Sequence, residues 1–144
     1  MSDETVVVNI AKIDIKTSLI LQLVKDSGLK AGFPSPADDF SSESTDLNEY
    51  LVKHPNATFI IKVEGCSMEP VIHSGDLLIV DRSLEPTNGR IVIASLDGEF
   101  TVKRLMKNNG IPVLRAENPT YKPIPVKDTD AVIWGVVTFV IKHT

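Results

Sequence analysis

The stretch Ile91-Val92-Ile93-Ala94-Ser95-Leu96-Asp97-Gly98-Glu99-Phe100-Thr101-Val102-Lys103 decides the fold class. Two runs rich in β-branched residues flank Asp97-Gly98, the dipeptide best suited to the two positive-φ positions of a type I′ turn. The reading is a hairpin in which Ser95 lies opposite Phe100, Ala94 opposite Thr101 and Val92 opposite Lys103. Working outward, strands are expected at Thr58 to Val63, Asp76 to Asp81, Arg90 to Leu96, Glu99 to Lys107 and Ile133 to Ile141, with turns at Ser74-Gly75 and Asn109-Gly110. No repeated helix separates these strands and no internal repeat is present. The expected fold is therefore mainly β, a compact antiparallel sheet or barrel rather than a parallel α/β arrangement.

Upstream the pattern changes, and residues 1–57 read as an N-terminal arm ahead of a β core spanning 58–144. Within the arm, Leu19, Ile20, Leu23 and Val24 fall at helical spacing, with Thr17 or Ser18 as N-cap and Gly28 as stop. This predicts a short helix over Thr17 to Lys25. The next segment, Ala31-Gly32-Phe33-Pro34-Ser35-Pro36, carries two prolines that force extended backbone on Phe33 and Ser35 and remove two amide donors. We expect an exposed, extended strap. Asp38 to Glu49 holds five acidic residues and no basic one, a solvated helix face in which Asp46 and Glu49 resemble a capping box and Pro55 marks the end.

Composition narrows the function. With 144 residues, 42% hydrophobic and 24% charged, the chain holds enough apolar material for one domain core without disulfides or metal. The single Cys66 cannot form an intramolecular disulfide, and His54, His73 and His143 have no zinc-like spacing, so neither metal nor cofactor is expected. A net charge of -4 has the wrong sign for a protein whose main task is neutralising phosphates, which argues against tight autonomous DNA binding. The acidic start Met-Ser-Asp-Glu is unlike a signal peptide, and the longest apolar stretch, Ala131 to Ile141, is too short for a bilayer. A cytoplasmic protein without a membrane anchor is expected.

Chemistry concentrates in Val63-Glu64-Gly65-Cys66-Ser67-Met68-Glu69-Pro70, where a glycine interrupts a strand and two nucleophiles stand side by side. Cys66 is the better intrinsic nucleophile, and the histidines offer a Ser-His or Cys-His pairing, but no spacing brings a histidine to either residue. A small buried residue at a strand end is the structural alternative for Cys66. Lys103 is the other candidate base, since the hairpin register sets it on a face with Val92, Ala94 and Leu105. Burial there disfavours an ammonium ion, and a neutral amine can accept a serine proton. The structural alternative is an edge-strand lysine pointing at water.

The run Gly65-Cys66-Ser67-Met68-Glu69-Pro70, then Ser74-Gly75-Asp76-Leu77-Leu78-Ile79-Val80-Asp81, then Asp97-Gly98-Glu99-Phe100-Thr101-Val102-Lys103-Arg104-Leu105, resembles the LexA/UmuD family of self-cleaving Ser-Lys peptidases. Leu114 to Ile124 and Trp134-Gly135-Val136-Val137 extend the resemblance, which runs from about residue 31 to the C-terminus. The Ala31 to Phe40 strap and Asp46-Leu47-Asn48 are similar to the UmuD branch, accessory subunits of an error-prone polymerase. Signal peptidases share the chemistry but need a membrane anchor. The first thirty residues do not match the branch well, and Cys66 stands where relatives carry other residues.

The resemblance implies that Ser67 is the nucleophile, Lys103 the general base and Ala31-Gly32 the bond cut, with no cofactor. It implies a homodimer whose cleavage is stimulated by a RecA filament on single-stranded DNA, and whose product serves a UmuC-like Y-family polymerase subunit in the DNA-damage response. The residues agree with these roles, because Gly32 leaves the Ala31 carbonyl open and the prolines pre-extend the strap. Two other classes stay open: a non-cleaving dimeric binding module, and a transcription regulator of the same branch. The extended chain between Gly32 and Ser67, at roughly 3.3 Å per residue, is long enough to reach the site of its own domain or that of a dimer mate.

Overall fold

The computed structural model of the chain describes residues 4–13, 20–25 and 41–144. They fall into two compact units, one comprising residues 4–13 and 54–144 and the other residues 20–25 and 41–53. In chain order the elements are β1 (Val6–Lys12), β2 (Ile20–Lys25), β3 (Ser41–Asp46), α1 (Leu47–Leu51), β4 (Thr58–Glu64), β5 (Leu77–Asp81), β6 (Ile91–Leu96), β7 (Glu99–Asn108), β8 (Ile111–Arg115), β9 (Ile124–Pro125) and β10 (Val132–Ile141).

In the larger unit the strands run β1-β4-β5-β10-β6-β7, all antiparallel, and the ring closes where Val6 of β1 lies beside Thr101 of β7. This is the expected mainly β, barrel-like fold. β8 and β9 continue outward from β7. The hairpin has the register read from Asp97-Gly98, with Ser95 opposite Phe100, Ala94 opposite Thr101 and Val92 opposite Lys103. Its turn residues take φ values of 51° and 79°, the geometry that Asp-Gly tolerates.

Alternation along β6 and β7 serves two cores. Ile93 and Val102 enter a cluster with Ile61, Val63, Met68, Ile72, Leu78, Val80 and Val137. Val92, Ala94 and Leu105 face the other way, joining Leu114 and Val136. Full burial of each such aliphatic side chain stabilises the fold by about 1.5–3 kcal/mol relative to exposure, which fixes the register, because a one-residue slip would exchange the two faces. β10 is paired along both edges, by β5 and by β6, and its central Val136 and Val137 are buried while Val132 and Ile141 at its ends are exposed.

The smaller unit corrects two expectations. Ile20–Lys25 is not helical but a strand paired antiparallel with Ser41–Asp46. Its β-branched Ile20 and Val24 suit extended backbone, and the ladder to β3 satisfies main-chain groups that a short helix would leave bare at its ends. The acidic stretch is likewise mostly strand over its described part. Only Leu47–Leu51 is helical, capped by Asp46, whose carboxylate accepts the Asn48 N–H at 3.0 Å. The helix stops before Pro55, which opens a separate 3-10 turn, Pro55–Ala57.

Candidate active site

β4 ends at Glu64, and Gly65 takes φ +114°, a left-handed conformation that turns the chain sharply into the segment carrying Cys66, Ser67 and Met68. This turn is anchored from two sides. Met68 is fully buried in the first core, and its carbonyl accepts the N–H groups of Val71 and Ile72, each at 2.9 Å. On the other side the Ser67 carbonyl accepts the Asn118 N–H at 2.9 Å. The serine backbone is thereby held between the core and the loop after β8. Ser67 itself is 0% exposed.

Lys103 sits mid-strand in β7 and is 2% exposed, so the lysine at this register position points into the protein and not to water. Its ammonium pairs with the Glu4 carboxylate and lies 5.7 Å from the centre of the Tyr121 ring. Thr5, the next residue after Glu4, donates its N–H to Ser67 Oγ at 2.8 Å. Ser67 and Lys103 are thus both engaged by the same two consecutive residues of extended chain.

The grip on this dipeptide is close. Met68 N–H donates to Thr5 Oγ1 at 3.2 Å, while the Thr5 carbonyl accepts both the Thr101 hydroxyl at 2.9 Å and the Val102 N–H at 3.1 Å. Thr5 is wholly buried. Over Gly65 the main chain of Glu4 passes so near that a Cβ there would lie 2.2 Å from the Glu4 carbonyl oxygen. Beside this segment is a cleft of about 240 Å³ lined by Glu4, Val6, Leu96, Asp97, Glu99, Thr101, Lys103 and Ile124. The arrangement holds an extended stretch of polypeptide against a buried hydroxyl and a buried amine.

Other candidates lie elsewhere. Cys66 is half-buried, with Sγ 3.9 Å from the Tyr121 hydroxyl. His54 is engaged by Asp81, its Nδ1 2.5 Å from the carboxylate, and His73 Nδ1 lies 3.1 Å from Lys142 Nζ. Ala31 and Gly32 lie outside the described residues. Among the described residues no group of three or more His, Cys, Asp or Glu is arranged to hold a metal ion, and no helix is long and apolar enough to cross a membrane.

Two carboxyls near the barrel ends are perturbed. For Asp81, burial acts to raise the carboxyl, but hydrogen bonds from the Ser83 hydroxyl and N–H and from His54 outweigh it and hold the group below its ordinary range. Burial likewise opposes ionisation of Asp76, and the His73 N–H and the Lys142 ammonium prevail. Both pin loop ends to the barrel at a distance in sequence. Reading the sequence did not identify Glu4, Thr5, Asn118 or Tyr121 as site residues. The one available signal for the first two was the β-branched run Val6-Val7-Val8 directly behind them.

A family model described as Peptidase S24-like matches residues 22–138. The chain belongs to this family. Its members are serine peptidases, and the chain is a LexA/UmuD-type self-cleaving protein, in agreement with the motif resemblance. The S24-like chain is 47% identical to Protein SamA of Salmonella typhimurium over 115 residues, covering 79% of this chain and 80% of the relative. It is also 47% identical to Protein MucA of Escherichia coli over 121 residues, covering 80% and 81% of the two chains. A LexA repressor of Pseudomonas chlororaphis is 40% identical over 116 residues, covering 78% of this chain and 57% of the repressor. The family match starts at residue 22, so Glu4, Thr5 and all of β1 lie ahead of it.

Proposed function

We propose that this S24-like protein cuts its own chain between Ala31 and Gly32 with a Ser67-Lys103 dyad. In the reaction the neutral Lys103 amine takes the Ser67 hydroxyl proton as Oγ bonds to the Ala31 carbonyl carbon. The Ala31-Gly32 C–N bond then breaks and the lysine returns the proton to the leaving Gly32 nitrogen. Water hydrolyses the resulting acyl-serine, which restores the hydroxyl and frees the Ala31 carboxylate. A main-chain N–H beside Ser67 supports the oxygen that becomes negative.

The observation that carries this reading is the engagement of one extended dipeptide by both Ser67 and Lys103, two buried residues separated by two strands and a hairpin. A buried hydroxyl and a buried amine lining a polypeptide channel are what intramolecular peptide hydrolysis requires. The family and the motif order support the same assignment. We extend the reading to a homodimer that responds to a RecA filament on single-stranded DNA and whose product, residues 32–144, serves a UmuC-like Y-family polymerase subunit. By this reading the filament need only favour the docked state of the cleavage segment and adds no catalytic group.

Intact-mass measurement of the purified protein after incubation at alkaline pH tests the core of the reading, since only the neutral amine accepts a proton. Two fragments that divide at residue 31, absent from Ser67→Ala, are expected. A division elsewhere, or fragments that persist in Ser67→Ala, would exclude it. Sedimentation at micromolar concentration tests the dimer, and a monomer would remove that part.

A further inference from the structure

We propose that the channel over Ser67 and Lys103 is a strand-acceptor surface whose resident occupant, residues 4–12 of the same chain, keeps substrate out until it departs. The inference rests on the Ser67-Lys103 reading above and adds a second, competing role for the start of the chain.

Occupancy is complete at the reactive groups. Ser67 Oγ accepts the Thr5 N–H, Lys103 is ion-paired with Glu4, and the Met68 N–H is taken by Thr5 Oγ1. A carboxylate-paired ammonium cannot serve as a base. The carbonyl carbon of any second peptide would have to approach Ser67 Oγ through space that the Glu4 and Thr5 main chain already fills, against a bare Gly65 Cα. The occupant is also well anchored, because β1 continues into a ladder with β4 from Val6 opposite Glu64 to Lys12 opposite Phe59. Two peptides cannot hold these atoms at once, so productive docking of Ala31-Gly32 and docking of Glu4-Thr5 exclude each other. The segment behaves as an inhibitor with a carboxylate aimed at the base.

Glu4 is the residue to change, since it contributes charge to the grip but no chemistry to the cut. Self-cleavage at residue 31 should run at least tenfold faster in Glu4→Gln than in the unmodified chain. The opposite intervention closes the channel. In a Cys66→Ala background, Val6→Cys with Glu64→Cys places a cysteine pair across the β1 and β4 ladder. Oxidation should then suppress cleavage at least tenfold, and reductant should restore it. Circular dichroism and tryptophan fluorescence of each variant establish that it is folded.

The outcomes separate the two ideas. If the unmodified chain cuts at residue 31 but Glu4→Gln is no faster and the oxidised pair cuts as quickly as the reduced one, the occupant does not compete and the proposal is overturned. If no variant cuts, or Ser67→Ala cuts as well as the rest, the dyad reading fails instead. Should Glu4→Gln prove unfolded, the reversible disulfide alone decides, because reductant returns the same molecule to its starting state.

Discussion

Removing the Ser67 hydroxyl or the Lys103 amine should each lower self-cleavage by about 1,000-fold or more, because nucleophile and base act as a unit and either loss disables both. Lys103→Met is the better probe of the base, since it keeps most of the volume in a buried position. Cys66→Ala should change the rate by less than about twofold: among the described residues the half-buried thiol meets the Tyr121 hydroxyl and not a base, and its loss costs little packing. Time courses by intact mass check all three, and an inactive Cys66→Ala would reverse the assignment. Lys103 could be read as inward-facing from one local fact, the Asp97-Gly98 turn that sets it opposite Val92. Glu4 could not, because its contact with Lys103 joins residues 99 positions apart and no local rule reaches that far.

At the scale of elements, the hairpin and the loop-end carboxylates carry separable stabilities. A Cβ on Gly98 would meet open space, so Gly98→Ala costs only the backbone strain of φ 79°, about 1–2 kcal/mol, with cleavage retained. Asp81 ends β5 and takes hydrogen bonds from Ser83 and His54. Asp81→Ala should cost about 2 kcal/mol near neutrality, the usual worth of a buried charge-assisted interaction. The sign of its pH dependence follows from a carboxyl held lower in the folded than in the unfolded state. Its stabilisation is complete above the unfolded value near 3.9 and is lost as pH falls through the folded one, so the gap between variant and parent should shrink in acid. Urea unfolding at several pH values checks this, and a gap that widens in acid would contradict it. The five core strands were legible because each is a short run rich in β-branched and other apolar residues set off by turn residues. β2 was not, since Leu19, Ile20, Leu23 and Val24 satisfy helical spacing as well as they satisfy a strand, and only pairing with β3 decides between them. β1 lacked any flanking turn signal, and its partner lies far along the chain.

For the molecule as a whole, the cut proposed at residue 31 falls between strands that belong together. The piece ending at Ala31 would carry β1 and β2, while their partners β4 and β3 would stay with the other piece. Breaking one covalent bond therefore leaves two antiparallel ladders holding the halves to each other. What changes is molecularity. In the intact chain, the return of β1 to its place is a unimolecular event at a fixed effective concentration, indifferent to how much protein is present. In the cut chain it becomes an encounter between two solutes, governed by mass action. Concentrated cleaved protein should elute as one species containing both pieces, and dilute protein should shed the smaller one, with amide exchange rising along Phe59 to Glu64 as it leaves. Timing would then belong to two separate clocks, one set by bond hydrolysis and a later one set by dilution.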